Sequence, residues 1–118
     1  MRIAHISEIH HIQTAAAEDF ETIKAEVAQG LAALVECDGC YCVLRHDRDG
    51  LCVVCAEGKN LLSIAPSIVA LAHHINAPSI VYHTKRKALK RLLSAYSFVY
   101  ESTDEDGYAI YRMALNGQ

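Results

Sequence analysis

Two runs rich in strand-forming residues, CYCVLRH and LCVVCAE, flank the tetrapeptide DRDG between Cys40 and Glu57. A glycine-ended tetrapeptide between extended runs predicts a β-hairpin, with Gly50 in the left-handed position of a type I turn plus bulge. A hairpin needs further strands or helices to cover it, so the rest of the chain has to supply those layers. The chain is 118 residues long and about half apolar, enough for one domain, residues 1–118, whose core does not depend on disulfides.

Helical periodicity supplies the cover. Phe20, Ile23, Val27, Leu31 and Leu34 recur every three or four residues, which predicts one long helix from Ala15, capped by Thr14 and stopped by Asp38-Gly39. Leu61, Ile64, Ile68, Leu71, Ala72 and Ile75 predict a second, with Pro66 near its start and Asn76 and Pro78 at its end. A third runs from Thr84 to about Tyr96. Strands are expected at Arg2 to Ile9, Ser79 to His83, Phe98 to Ser102 and Tyr108 to Leu115, the last two joined by TDEDG. The order strand, helix, hairpin, helix, strand, helix, hairpin indicates an α/β fold, a mixed sheet covered by helices.

All five cysteines lie between Cys37 and Cys55, and eleven residues separate the pairs Cys37/Cys40 and Cys52/Cys55. That spacing approaches a zinc ribbon, which needs four ligands converging on one ion. CDGC suits a tight knuckle, but CVVC favours extended chain, where Cys52 and Cys55 point to opposite faces. The expectation is therefore free, buried thiols and no metal site. Cys42 and Cys55 are candidates to face each other across the hairpin, in a register that the turn decides. The adjacent pairs His10-His11 and His73-His74 do not face one direction as ligands should.

The formal net charge is −3, while five of the eleven basic residues fall in KRKALKR, Lys85 to Arg91. A local anion site fits this pattern, and a wholly basic nucleic-acid surface does not. The beginning, MRIAHISEIHH, has no long apolar stretch, and LLSIAPSIVALA is too short to span a bilayer. A cytoplasmic protein without membrane contact, its thiols reduced, is the expectation.

The second half, from LCVVCAEGKNLL to YAIYRMAL, resembles the GNAT superfamily of acyl-CoA-dependent N-acetyltransferases. APSIVYHTKRKALKRLLSAYSF is similar to that family's penultimate strand and following helix, with Ser97-Phe98 in the place of its Gly-Phe ending. YAIYRMAL is similar to its closing strand. By element order the whole chain follows the GNAT-like fold, shortened at the front, and is most similar to compact phage and prophage members.

The resemblance implies acetyl-CoA or another acyl-CoA as co-substrate and an amine as acceptor. Val54, Cys55 and Ala56 would offer backbone groups to the pantetheine arm. The pyrophosphate would lie on the loop opening the next helix, where unpaired amides and the helix dipole attract anions. Gly58 matches the first glycine of the family's Gln/Arg-x-x-Gly-x-Gly/Ala loop, Lys59 adds a cation, Asn60 replaces the second glycine, and Cys55 replaces Gln/Arg. The family's thiolate-protonating tyrosine falls on Leu93, with Tyr96 three residues later as the stand-in acid and Glu57 as the base. The basic segment would lie near the nucleotide, with a 3′-phosphate, nucleic acid or an acidic protein as its partner.

Three functions remain open at this level. The first is an acyl-CoA-binding acetyltransferase; the second is a non-catalytic interaction module on the same fold, with a protein partner. The third is a zinc-stabilised nucleic-acid binder. Edge strands and the apolar content permit a homodimer.

Overall fold

The computed structural model describes residues 1–58, 61–84 and 97–115. The predicted hairpin forms, from β3 (Cys40–Asp47) and β4 (Gly50–Glu57), joined by Arg48 and Asp49. Gly50 is not in the left-handed helical region expected for it: its φ is +156°. Its requirement is close approach, because a Cβ there would stand 2.5 Å from the carbonyl oxygen of Ser79 and 2.6 Å from its Oγ.

Around this hairpin lies a seven-stranded sheet in the order β1-β2-β3-β4-β5-β7-β6. β5 (Ser79–Thr84) runs parallel to β4, and the connection between them is α3 (Leu61–His74), the crossover a parallel pair requires. Pro66 lies inside α3, where it forgoes one backbone hydrogen bond. Asn76, at φ +56°, turns the chain out of the helix. β6 (Val99–Thr103) and β7 (Ala109–Ala114) form the closing hairpin, with β7 antiparallel to β5.

The front of the chain departs from expectation twice, for local reasons. β1 is only Arg2–Ile3. His5 then caps a 3₁₀ helix, Ile6–Ile12, accepting from the Ser7 amide while Glu8 accepts from the amide of His5. The long predicted helix is broken into α1 (Gln13–Ala16), a 3₁₀ turn (Ala17–Asp19) and α2 (Phe20–Ala28).

Gly30, at φ +78°, ends α2: the Gly30 amide donates to Val27 and the Leu31 amide to Glu26. That is a Schellman closure. The segment read as the end of the helix is instead β2 (Ala33–Cys37). Asp38 and Gly39, at φ +50° and +82°, form the two-residue hairpin turn to β3 rather than a helix stop, as Asp-Gly with two positive φ values favours. The front of the sheet thus gains a strand that the helical periodicity of Leu31 and Leu34 does not predict.

The sheet carries a core on each face. On one, α3 packs Ile64, Ile68 and Ala72 against Val35, Leu44, Val53 and Ile80. On the other, the N-terminal helices pack Ile9, Ile12, Ala16 and Ile23 against Leu34, Val43 and Cys55. The third predicted helix lies outside the described residues except for Thr84, which ends β5.

One irregularity matters for all that follows. Leu44 pairs with Val53 but Val43 with Cys55, so Val54 is an extra residue, a β-bulge in β4. The parallel ladder between β4 and β5 has three pairs, Leu51 with Ile80, Cys52 with Val81 and Val53 with Tyr82, and ends there. Beyond it β4 follows β3 to Glu57 and β5 follows β7 to Thr84.

The other end of the ladder is clamped. Ser79 Oγ donates to the Asp49 carbonyl at 2.7 Å, and Arg112 donates to Ser79 Oγ at 2.8 Å and to Asp49 Oδ2 at 3.0 Å. Gly50→Ala should force Ser79 away and lower unfolding stability by about 2–3 kcal/mol, the usual cost of overpacking. Urea titration against the parent chain measures it.

Candidate functional site

The bulge creates the site by changing which way side chains point. In a regular strand Val54 and Cys55 would face opposite sides. Here Val54 and Cys55 both pack toward the N-terminal helices, while Val53 and Ala56 belong to the α3 side. Cys52 and Cys55 consequently line the same cavity, contrary to the opposite-face expectation, because the extra residue shifts the alternation by one.

Where β4 and β5 part, a cleft of about 470 Å³ opens. Val54, Cys55, Ala56 and Glu57 form its β4 wall, and Tyr82, His83 and Thr84 its β5 wall. Thr14, Ala15 and Ala17 close it from the helical side. Glu57 Oε1 accepts the Ala15 amide at 2.7 Å, which holds the end of β4 to α1. Ala17 has φ +50°, a region that a non-glycine residue occupies at a cost of about 1–3 kcal/mol. Such strain on a cleft wall is a common companion of a binding site.

A smaller cavity of about 180 Å³ adjoins the cleft, bounded by α2, β3 and the β6–β7 turn. Its acidic groups are Asp19, Glu26, Asp104 and Asp106, against the single guanidinium of Arg45. Several of these are committed. Arg45 pairs with Asp47 at 2.7 Å and Glu26 at 3.3 Å. Tyr108 donates its hydroxyl to Asp19 at 3.0 Å, tying the closing hairpin to the helices. Asp104 accepts the amides of Asp106 and Tyr108.

Five residues border both spaces: Ala15, Val54, Cys55, His83 and Tyr108. Of these, His83 and Tyr108 carry side chains suited to proton transfer. Burial lowers the His83 imidazole below its ordinary value, a trend opposed first by Asp104, so the ring is neutral at pH 7. Tyr108 moves the other way, raised by burial and by its bond to Asp19, and stays a phenol. Sequence reasoning missed both, because neither lies in a recognisable motif and only the topology brings β5 and the β6–β7 turn to one place.

The thiols are chemically quiet. Cys52 and Cys55 are pushed up to about 12 by burial, and Cys42 is raised further by its contact with Cys40 and by burial. Cys37, Cys40 and Cys42 pack on the α3 face, whereas Cys55 lies in the core of the other. The sheet thus separates the two Cys-x-x-Cys pairs, and among the described residues no cluster of three or more metal-ligating side chains occurs. Cys42 pairs with Ala56 and Cys55 with Val43, so the two do not face each other across the hairpin.

Among the other sequence-derived candidates, Val54, Cys55, Ala56 and Glu57 are brought together on the cleft. Gly58 follows at φ +136°, and a Cβ there would stand 2.6 Å from the Gly39 carbonyl oxygen and 2.7 Å from Cys40 Cα. Its glycine is therefore required by packing against the β2–β3 turn, whatever binds beside it. Lys59, Asn60, Tyr96 and the basic segment Lys85 to Arg91 lie outside the described residues. No helix among the described residues is long and apolar enough to cross a membrane.

The seven-stranded mixed sheet, covered by helices, has a GNAT-like α/β fold. A crystal structure of a GNAT-family acetyltransferase from Listeria monocytogenes matches it with a TM-score of 0.54 at 15% identity, over 95% of this chain and 77% of that one. No protein-family model matches the sequence, and no curated protein matches it significantly.

Native-state thiol labelling checks the burial pattern. Cys37, the one half-exposed cysteine, should react with Ellman's reagent at pH 8 well before the other four, which are buried. Guanidinium should release all five. Fast reaction of Cys52 or Cys55 would contradict the site as described.

Proposed function

We propose that this chain binds an acyl-CoA in the cleft between β4 and β5 and transfers the acyl group to an amine. The observation that carries this reading is the fork itself. The bulge at Val54 and the end of the ladder at Val53 with Tyr82 leave a cleft of about 470 Å³, within the usual range for small-molecule sites.

In this reading the pantetheine arm enters the fork as an extended chain and takes backbone hydrogen bonds from Val54 to Ala56, as an added strand would. The pyrophosphate lies beside Gly58 at the start of α3, with Lys59 and Asn60 in the roles the resemblance implies, because the first amides of a helix and its dipole attract anions. Glu57 fastens α1 to β4 through its bond to the Ala15 amide and so sets the width of the slot. Tyr96 remains the proposed proton donor to the departing thiolate, in the role the resemblance implies. The Listeria acetyltransferase supports the reading through shared fold alone.

A non-catalytic module on the same fold is the second reading, motivated by Cys55, Asn60 and Leu93 in the places of Gln/Arg, glycine and the tyrosine. Calorimetry separates the two. Acetyl-CoA should bind the parent chain, and Val54→Trp, which fills the fork, should weaken binding at least tenfold while leaving the circular dichroism spectrum unchanged. Absence of acetyl-CoA binding at high protein concentration would leave the interaction module as the better account.

A further inference from the structure

His83 is placed differently from every other titratable group on the described surface of the cleft. It stands on β5 directly after Tyr82, at the last rung of the β4–β5 ladder, and its side chain borders both the larger cleft and the smaller cavity. Its imidazole has no hydrogen-bond partner among the described residues, whereas the hydroxyl of Tyr108, which borders the same two spaces, is bonded to Asp19. Glu57 lines the larger cleft, does not line the smaller cavity, and has one carboxylate oxygen taken by Ala15. The smaller cavity adds a surplus of carboxylates over cations, with Asp106 bearing the side chain least committed to partners.

Resting on the acyl-CoA reading, we propose that the smaller cavity receives an alkylammonium acceptor and that His83 is the catalytic base that deprotonates it. The acid surplus favours a cation on entry, and the junction between the two spaces is where the amine would meet an acyl thioester. One N–H proton passes from R–NH₃⁺ to a ring nitrogen of His83. The freed lone pair attacks the thioester carbonyl carbon, the C–N bond forms and the C–S bond breaks. The departing sulfur gains a proton, giving the thiol, balanced by loss of the second N–H proton from nitrogen, and His83 returns its proton to solvent. The products are an amide, a thiol and one proton.

The surroundings of His83 suit this task. Asp104, Asp47 and Asp49 favour its protonated form, while burial and Arg45 oppose it. Cys52 and Cys55 across the cavity are neutral thiols. Asp106 lies on the β6–β7 turn, Glu26 is engaged by Arg45, and Asp19 is engaged by the Tyr108 phenol. Because burial dominates, the base is free at neutral pH and is lost on acidification.

The test follows thiol release from acetyl-CoA with 1,4-diaminobutane as acceptor between pH 5 and 9, with acetyl-CoA affinity measured by calorimetry. For the parent chain kcat/KM should rise with pH through an apparent pKa below that of an ordinary histidine and then level. His83→Gln should lower kcat/KM by about 100-fold or more, within the usual worth of a general base, and abolish that acid limb. Its acetyl-CoA affinity should stay within threefold of the parent's, a result that a folding defect would not give. Unchanged rate and acid limb in His83→Gln, with binding intact, would overturn His83 as the base. Binding without turnover in the parent would do the same. Loss of the acid limb in Glu57→Gln, with His83→Gln retaining it, would transfer the role to Glu57. A parent chain that does not bind acetyl-CoA would remove the acyl-CoA reading and the base with it.

Discussion

The parallel pairing of β4 with β5 is secured at one end and released at the other, and the site is a consequence of that asymmetry. At the secured end Gly50 lets the backbone of β4 approach Ser79, and Arg112 joins Ser79, Asp49 and Glu101. At the released end a single extra residue, Val54, breaks the register with β3 just where the ladder to β5 stops. Two strands held on their outer edges by β3 and β7 have to part if their shared edge no longer matches. The slot follows from ordinary sheet geometry.

Two side-chain bonds tie the border of that slot to the N-terminal helical layer. Glu57 reaches from β4 to the Ala15 amide, and Tyr108 reaches from the closing hairpin to Asp19. Both bonds cross from sheet to N-terminal helices, so the short pieces α1 and α2, too short to be stable alone, are positioned by the sheet they cover. The burial that packs these pieces also sets the protonation states around the slot. It keeps Cys52 and Cys55 as thiols and His83 as a neutral imidazole, the one group of the three suited to exchange protons near neutral pH.

Much of the sheet was legible in the sequence. Hydrophobic period and turn residues located β3, β4, α3, β5 and the closing hairpin, each within about two residues. The failures have identifiable causes. Leu31 and Leu34 continue the helical period of Ile23 and Val27 by coincidence, although Leu31 is exposed and Leu34 belongs to a strand. Gly30 outweighs that period because it closes the helix through a left-handed residue. Asp38-Gly39 suits a hairpin turn and a helix stop alike, because both use positive φ, and pairing of Cys37 with Cys40 makes it the turn.

The site was harder to read than the fold, for a reason located at Val54. Strand arguments assume that faces alternate, and CVVC contains nothing that announces an extra residue. The register shift involves β3 on one side and β5 on the other, strands far apart in the chain, so it is a property of the assembled sheet. Val54 does three things at once: it turns Cys55 to the same side as itself, ends the match with β5, and leaves His83 beside a space rather than beside a strand. Removing the bulge would restore alternation and continue the ladder toward Glu57. The residues that line the site would then become an unremarkable stretch of core, with the same composition and no slot.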